Sequence, residues 1–325
     1  MATALAAVMA LPAVPLAPHP TPIDELRRRR AALGPSCPRL LMKRDDLLSF
    51  AVGGNKVRKM QTVAAEAMAA GATMLITCGG VQSNHARVTA AAGAALGLKV
   101  VLVLNGAAQE TPTGNARLDR LFGADVRIVA SRDDRDPTMA RLAEEAAAAG
   151  ERPFVVPLGA STVTGAMGFA RGVAEIAGTT PAPDAIVHAT SSGGTQTGLI
   201  AGCALFGLRA RVIGVSADDP AEAIGATVRG LLHGMASRLG ARPERLGADG
   251  APDVDDRHIG DGYGMPTEAS RAATELVART EGIVLDPVYT AKAMAGLLSH
   301  IRDGRFSSGS TVLFWHTGGL PGYFA

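Results

Sequence analysis

The chain lacks most features that would tie it to a membrane, a nucleic acid, a metal or an oxidising compartment. It holds three cysteines, Cys37, Cys78 and Cys203, far apart in 325 residues. No C-x-x-C pair and no zinc-ligand set is visible, so we expect reduced thiols in a cytoplasmic protein and assign no metal. The formal net charge is only +2, which implies no nucleic-acid partner and no acidic surface. No apolar run of ~20 residues suggests a membrane span. The head, residues 1–20, is rich in Ala and Pro. Its apolar run is broken by Pro12, Pro15 and Pro18, and no Lys or Arg precedes it. A signal peptide needs a charged start and an unbroken apolar core, so none is expected. Arg27 to Arg30 read as the solvated face of a surface helix. Apart from Ala richness there is no low-complexity tract and no short repeat.

What is present is a long, apolar, Gly- and Ala-rich chain. Its apolar fraction is 47%, and its length allows one large or two medium domains. Short apolar runs alternate with helix-period segments. After Lys56, apolar residues recur at Val57, Met60, Val63, Ala64, Ala67 and Met68, close to a 3.6 period. Strands are predicted at 40–43, 73–77, 99–104, 125–129 and 153–156, with helices at 85–96, 114–122, 138–149 and 162–177. The pattern restarts with strands at 185–189 and 211–215 and a helix at 194–206. The stretch 242–262 reads as loop. Helices at 266–280 and 290–300 precede a last strand at 311–315. Such alternation predicts an α/β fold of open, twisted, mostly parallel sheets with helices on both faces. The expected division is a smaller α/β domain at 51–168 and a larger one built from 1–50 plus 169–325. A ligand is expected in the cleft between them.

Five stretches can carry chemistry. In Gly53-Gly54-Asn55-Lys56-Val57-Arg58-Lys59 a lysine follows a Gly-Gly-Asn turn at a helix start. A lysine there can hold an aldehyde as a Schiff base only as a free amine, with its pKa lowered from about 10.4 by burial or by a nearby cation. Arg58 and Lys59 are candidate sources of that field. An exposed lysine in a first helical turn is the plainer alternative. Ser191-Ser192-Gly193-Gly194-Thr195-Gln196-Thr197-Gly198 lies between a strand and a helix, where glycines and a helix N-terminus can cup a phosphate. No lysine follows, and the spacing is not G-x-G-x-x-G, so a simple strand–helix turn stays open. Gln82-Ser83-Asn84-His85 offers amides and a hydroxyl for a carboxylate, or merely a helix cap. His85 can be a general base or a packed histidine. In Asp286-Pro287-Val288-Tyr289-Thr290, Asp286 or Thr290 can cap the next helix, or Tyr289 can present its phenol to a reacting group. His316-Thr317-Gly318-Gly319 follows the last strand, where residues past a carboxyl end face the ligand crevice.

Together these stretches resemble the pyridoxal-phosphate enzymes of fold type II (tryptophan synthase β-like), in the branch of 1-aminocyclopropane-1-carboxylate deaminase and D-cysteine desulfhydrase. The matching segments are K-R-D-D-L (43–47), G-G-N-K-V-R-K (53–59), Q-S-N-H-A-R (82–87), G-N-A-R-L-D-R (114–120), S-S-G-G-T-Q-T-G (191–198), Y-G-M-P-T (263–267), D-P-V-Y-T (286–290) and H-T-G-G (316–319). The resemblance implies pyridoxal 5'-phosphate as cofactor, bound covalently by Lys56. It implies Asn84 on the phenolic oxygen and Gly193, Gly194, Thr195, Gln196 and Thr197 around the phosphate. Tyr263 and Tyr289 would flank the ring, and Thr317 would face its nitrogen. Gln82, Ser83, Asn84, His85, Tyr289 and Thr290 would meet a small amino-acid substrate, with Lys56, Ser83 and Tyr289 as catalytic groups. A homodimer is implied too.

Within this branch the deaminase resembles D-P-V-Y-E with H-L-G-G and the desulfhydrase D-P-V-Y-T with H-T-G-G. This chain has Thr290 and Thr317. A carboxylate beside the ring nitrogen would keep it protonated, and a hydroxyl cannot supply that charge. The expectation is therefore α,β-elimination, with D-cysteine giving pyruvate, ammonia and sulfide. The alternatives are 1-aminocyclopropane-1-carboxylate deaminase, L-cysteate sulfo-lyase and a non-catalytic cofactor- or metabolite-binding protein. Gly159-Ala160-Ser161-Thr162 and the tail Leu320-Pro321-Gly322-Tyr323-Phe324 depart from the branch's pattern and leave the leaving group and chirality open.

Overall fold

The computed structural model describes residues 1–107, 110–179 and 181–325. The chain begins with helix α1 (Ala2–Met9), strand β1 (Ile23–Glu25), helix α2 (Arg27–Leu33) and strand β2 (Arg39–Arg44). It then alternates through α3 (Lys56–Ala69), β3 (Met74–Gly80), α4 (Asn84–Leu96), β4 (Lys99–Asn105), α5 (Gly114–Leu121), β5 (Asp125–Val129), α6 (Arg135–Ala148), β6 (Pro153–Val156) and α7 (Val163–Ala170). A second run holds β7 (Ala185–Thr190), α8 (Gly194–Phe206), β8 (Arg211–Ser216), α9 (Ala221–Leu239), β9 (Asp253–Asp255), α10 (Glu268–Glu281), α11 (Thr290–Arg302) and β10 (Thr311–His316).

Two sheets result. One has four strands in the order β5-β4-β3-β6, all parallel. The other has six, in the order β1-β2-β10-β7-β8-β9, parallel except for the β1–β2 pair. Their central strands are unbroken apolar runs, such as Val100–Leu104 and Thr311–Trp315, buried along their length. That pattern suits a strand covered by helices on both faces. On α3 the predicted stripe is the buried one: Val57, Met60, Val63, Ala64 and Ala67.

The sheets meet through helices. α7 packs against both α3 and α8. Two glycines permit the close approach. A Cβ at Gly168 would lie 2.3 Å from Thr62 Oγ1, and one at Gly198 would lie 2.7 Å from the Ala166 carbonyl oxygen.

A buried charge cluster fixes the start of α3. Arg58 donates to both Asp45 oxygens at 2.7 Å and to Glu175 at 2.6 Å. Lys43 pairs with Glu175 at 2.5 Å, and the Trp315 indole donates to Asp45 at 2.7 Å. Burial pushes the Glu175 carboxyl up, but the hydrogen bonds from Arg58 and Lys43 hold it down at about 2. These residues come from the β2 end, α3, the turn after α7, and β10. The cluster therefore ties the six-stranded sheet to the helix that begins at Lys56.

Several elements differ from the sequence expectation. The 19-residue α9 lies where no helix was predicted, and β9 lies inside the expected 242–262 loop. β9 is three residues long and pairs only along β8, so its signal is in pairing rather than in periodicity. α6 starts three residues before the expected position, at Arg135. α7 ends at Ala170 and tightens into a 3-10 turn over Arg171–Glu175. Arg29, expected on a solvated face, is 1% exposed, and its backbone N–H donates to Glu281 at 2.6 Å.

Replacing Arg58 with methionine leaves the Asp45 carboxylate buried without its cation. Removing one member of a buried pair costs about 3–5 kcal/mol. Denaturant unfolding of Arg58→Met should register a loss of that size, and a loss below about 1 kcal/mol contradicts this role.

Candidate active site

The carboxyl ends of β3, β7, β8 and β10 open on one cavity of about 240 Å³ between the two sheets. Of the residues singled out by sequence, Lys56, Ser83, Asn84, His85, Gly193, Thr195, Tyr263, Tyr289 and Thr317 line it. The structure thus collects residues spread over some 260 positions.

Lys56 is the first residue of α3, and its half-buried side chain opens on the cavity. Burial lowers its amine to about 8, against a smaller opposing pull from the Asp218 carboxylate. Of the two expected causes, burial is the one that acts. Desolvation rather than a cationic neighbour does the work, because Arg58 is taken up by Asp45 and Glu175. Lys59, one turn away from the cavity, is fully buried and lowered well below its ordinary value by burial and then by Lys56. Its amine donates to the Gly159 carbonyl at 3.1 Å and to Ser161 at 3.2 Å. Lys292 is also buried, but its amine is bound to the carbonyls of Ala217, Ile259 and Gly262 at 2.7–3.0 Å. It holds the loop carrying Tyr263 and is not free to react.

Opposite Lys56 stands the N-terminus of α4. Ser83 is its cap, accepting from the Ala86 N–H at 3.2 Å. The cap reading and the cavity reading therefore hold together, since the Ser83 hydroxyl proton remains available to the cavity. Asn84 is oriented by two donors on its Oδ1: Arg87 at 2.8 Å and the Asn115 amide at 3.0 Å. Arginine cannot accept, so the Asn84 oxygen must face it and the Asn84 NH2 is left for the cavity. His85 is buried and held neutral, first by burial and then by the fields of Lys56 and Lys59. Thr77 donates to the Val156 carbonyl, so it can only accept from His85 Nε2, at 2.7 Å. Nδ1 then carries a buried lone pair with no partner.

The turn before α8 forms the third wall. Gly193 has φ +73°, which only glycine adopts without strain. The first N–H groups of α8, at Thr195 and Gln196, have no partner within the helix by geometry. Thr195 Oγ1 accepts from Asn55 at 2.9 Å, which ties this turn to the residue before Lys56. Room beside the amines comes from missing side chains. A Cβ at Gly159 would lie 3.0 Å from Lys56 Nζ, and one at Gly194 would lie 2.8 Å from Lys59 Nζ. The Gly159–Ser161 stretch, noted in the sequence as a departure, is therefore part of the wall.

The fourth side is aromatic. Tyr263 and Tyr289 share a 2.8 Å hydrogen bond, with ring centroids 5.8 Å apart and nearly edge to face. Burial raises both phenols, Tyr289 well above its ordinary value. Asp286 fixes Tyr289 by accepting from the N–H groups of Val288, Tyr289 and Thr290.

Some expected side chains are not brought to the cavity. Gln82 binds the Thr113 carbonyl and the Asn115 N–H. Gln196 reaches the Asp253 carbonyl at 2.8 Å, so only its backbone can serve the turn. Thr197 donates to the Gly193 carbonyl, and Thr290 to Asp286 at 2.6 Å. Each of these hydroxyls or amides has a nearer backbone or carboxylate partner. Sequence reasoning missed Asn105, Arg132, Arg135 and Asp218, which line the cavity, and Arg87 and Asn115, which orient Asn84. Arg87 and Asn115 stand in matched motifs. Arg132, Arg135 and Asp218 are loop or helix-start charges that no spacing rule marks.

The chain is similar to known proteins over nearly its whole length. The family described as pyridoxal-phosphate dependent enzyme matches residues 14–318. The D-cysteine desulfhydrase of Yersinia enterocolitica is 39% identical over 324 residues, covering 97% of this chain and 96% of that protein. A crystal structure of an ACC deaminase homologue superposes with a TM-score of 0.91 at 34% identity, covering 100% of this chain and 97% of that one. The processed form of threonine deaminase isoform 2 from Solanum lycopersicum shares the fold, with a TM-score of 0.68 at 17% identity, covering 97% of this chain and 83% of that one.

Two outcomes follow from the site. The rate at which cofactor-free protein is loaded covalently by pyridoxal phosphate should rise through pH 8 and level off above it, because Lys56 is half neutral there. A rate still climbing steeply near pH 10, as for an ordinary lysine of pKa about 10.4, contradicts the lowered amine. Asn115→Ala, which leaves the Asn84 oxygen to Arg87 alone and so loosens the amide, should weaken cofactor binding about tenfold in an absorbance titration. Unchanged affinity contradicts the orienting role.

Proposed function

This chain belongs to the pyridoxal-phosphate dependent enzyme family, and from that premise we propose that it eliminates the β-substituent of an amino acid, converting D-cysteine to pyruvate, ammonia and sulfide. One observation carries the reading. A single desolvated amine, Lys56, opens on the same cavity as the Gly193–Thr195 turn and the Asn84 amide. The residues present fit an aldehyde that bears a phosphate: an amine neutral near pH 8, an N–H-rich turn, and room left by Gly159 and Gly194.

In this reading Lys56 holds the cofactor and, once released, moves the substrate's Cα proton at Nζ. Bound pyridoxal phosphate supplies the electron sink that makes that proton removable. Backbone N–H groups of Thr195 and Gln196, with Gly193 and Gly194, would hold the phosphate, and the Asn84 NH2 would donate to the phenolic oxygen. Ser83 binds the substrate carboxylate with its free hydroxyl proton at the N-terminus of α4. Tyr289, braced by Tyr263 and Asp286, covers the ring and excludes water. Thr317, which lines the cavity, would present a hydroxyl to the ring nitrogen. Hydroxyls at Thr290 and Thr317 would favour elimination over ring-opening deamination, since neither can supply the charge that keeps a ring nitrogen protonated. The Asp286 carboxylate is occupied by Val288, Tyr289 and Thr290.

We also read the chain as two domains, 51–168 and 1–50 plus 169–325, which the two separate sheets support. A cytoplasmic homodimer acting on a small amino acid is the corresponding proposal. Among the described residues no helix is long and apolar enough to cross a membrane. The three cysteines are buried and unpaired, which suits a reducing compartment.

The test is a panel of D- and L-β-substituted amino acids on the cofactor-loaded protein, with pyruvate measured. D-Cysteine should give pyruvate, and Lys56→Ala should lose about 10²–10⁴-fold of that rate or more. 2-Oxobutyrate from 1-aminocyclopropane-1-carboxylate, without pyruvate from D-cysteine, contradicts the elimination reading. Cofactor-bound protein that turns over nothing contradicts catalysis altogether.

A further inference from the structure

The cavity contains a charge that the reading above leaves unused. Arg135 is 8% exposed and lines the cavity. It makes no ion pair among the described residues. Its guanidinium donates only to the neutral amide oxygen of Asn105, from Nε at 2.9 Å and from Nη2. Asp134 and Asp136 flank it in sequence but come no nearer, and the Asp134 carboxylate is taken by Ser131. Among the described residues, Arg87 is also buried without an ion pair, but it meets three acceptors, the Asn84 and Asn115 amide oxygens and the Gly53 carbonyl, where Arg135 meets one. Arg58 is paired with carboxylates, and Lys59 is driven toward neutrality.

The position is unfavourable as well as unpaired. Arg135 is the first residue of α6, where the helix dipole is positive and a cation is destabilising. A buried cation kept at this cost marks a place where an anion completes the structure. Arg132, on the rim, adds a second guanidinium, partly spent on Asp218 and Asp219 at 3.2–3.4 Å. Asp218 is the cavity's acid, and it is also held by Ser191 at 3.0 Å. A Cβ at Gly80 would lie 3.2 Å from the Tyr263 ring and 3.9 Å from the Asn105 carbonyl oxygen. The Asn105 backbone and Tyr263 therefore both flank Gly80, three residues before the Ser83 cap of α4.

We propose that Arg135 is a specificity-determining residue that binds the β-substituent of the substrate, and that the site selects amino acids whose β-substituent carries or develops negative charge, such as a thiolate or a sulfonate. This rests on the elimination reading. In that reaction the Cβ–X bond breaks with its electron pair on X, while the Cα proton is carried by Lys56, so charge appears where the guanidinium stands. Arg135 is well suited to hold it, because a fixed donor fork aimed at developing charge needs no reorganisation.

The test is equilibrium binding to the cofactor-loaded protein, read by cofactor absorbance, with aspartate and alanine of each hand as probes. Aspartate places a carboxylate at the β-position and has no leaving group. Wild type should bind one hand of aspartate about 10- to 100-fold more tightly than the matching alanine. Arg135→Met should abolish that preference while leaving alanine binding within about threefold, and Arg135→Lys should restore part of it. Equal binding of aspartate and alanine by wild type overturns the proposal without any variant. So does parallel weakening of both by Arg135→Met, which is what a merely structural arginine would give. A retained aspartate preference with no pyruvate from any β-substituted amino acid would sink the elimination reading but keep the anion subsite.

Discussion

The Asp45 carboxylate, buried completely, is the point on which the geometry of the cleft depends. It receives Arg58 of α3, the Trp315 indole of β10 and the Thr21 hydroxyl. Its own backbone carbonyl accepts from Gly54, two residues before Lys56. A charge pair in this setting is worth little as net stability, because desolvation offsets most of the attraction. Its value is placement. The first turn of α3 cannot slide along β10 without stranding a buried charge, so the Lys56 amine is fixed relative to the strand ends that form the rest of the cavity.

Placement then becomes chemistry through desolvation. Four lysines, Lys43, Lys56, Lys59 and Lys292, have lowered amines, and the fold gives each a different use, Lys43 pairing with Glu175. Lys292 is spent on three carbonyls that hold the Tyr263 loop. Lys59 joins Gly159 and Ser161 to α3. Only Lys56 opens on the cavity. A second layer works the same way on the other side, where Arg87 and Asn115 decide which way the Asn84 amide points. Positional precision of this kind is what a cofactor enzyme adds to its cofactor.

Much of this was legible in the sequence. The alternation of apolar runs with helix-period segments gave both sheets, because buried parallel strands have to be continuous apolar runs. Lys56, Ser83, Asn84, Thr195 and Thr317 were marked by the hand-over from strand to helix, where local turn chemistry and ligand contact coincide. Other features left no such trace. Arg58 looked like a charge beside Lys56, yet its partners lie 13 and 117 positions away, and only the folded chain shows that its charge is consumed. Gln196 and Thr290 have the right residue types at the right spacing, but Gln196 is taken by the Asp253 carbonyl 57 positions away and Thr290 by Asp286 four positions back. β9 is specified by pairing and not by its own three residues. Arg135 sits in S-R-D-D-R-D, which reads as solvated charge, and its burial follows from the placement of α6 rather than from any local pattern.

The central claim is that one amine among four desolvated lysines bonds the cofactor. Borohydride reduction of the pyridoxal-phosphate-loaded protein, followed by peptide mass mapping, tests it most directly. The label should fall on Lys56 alone. A label on Lys59 or Lys292, or protein that binds the cofactor but fixes none of it, would contradict the account.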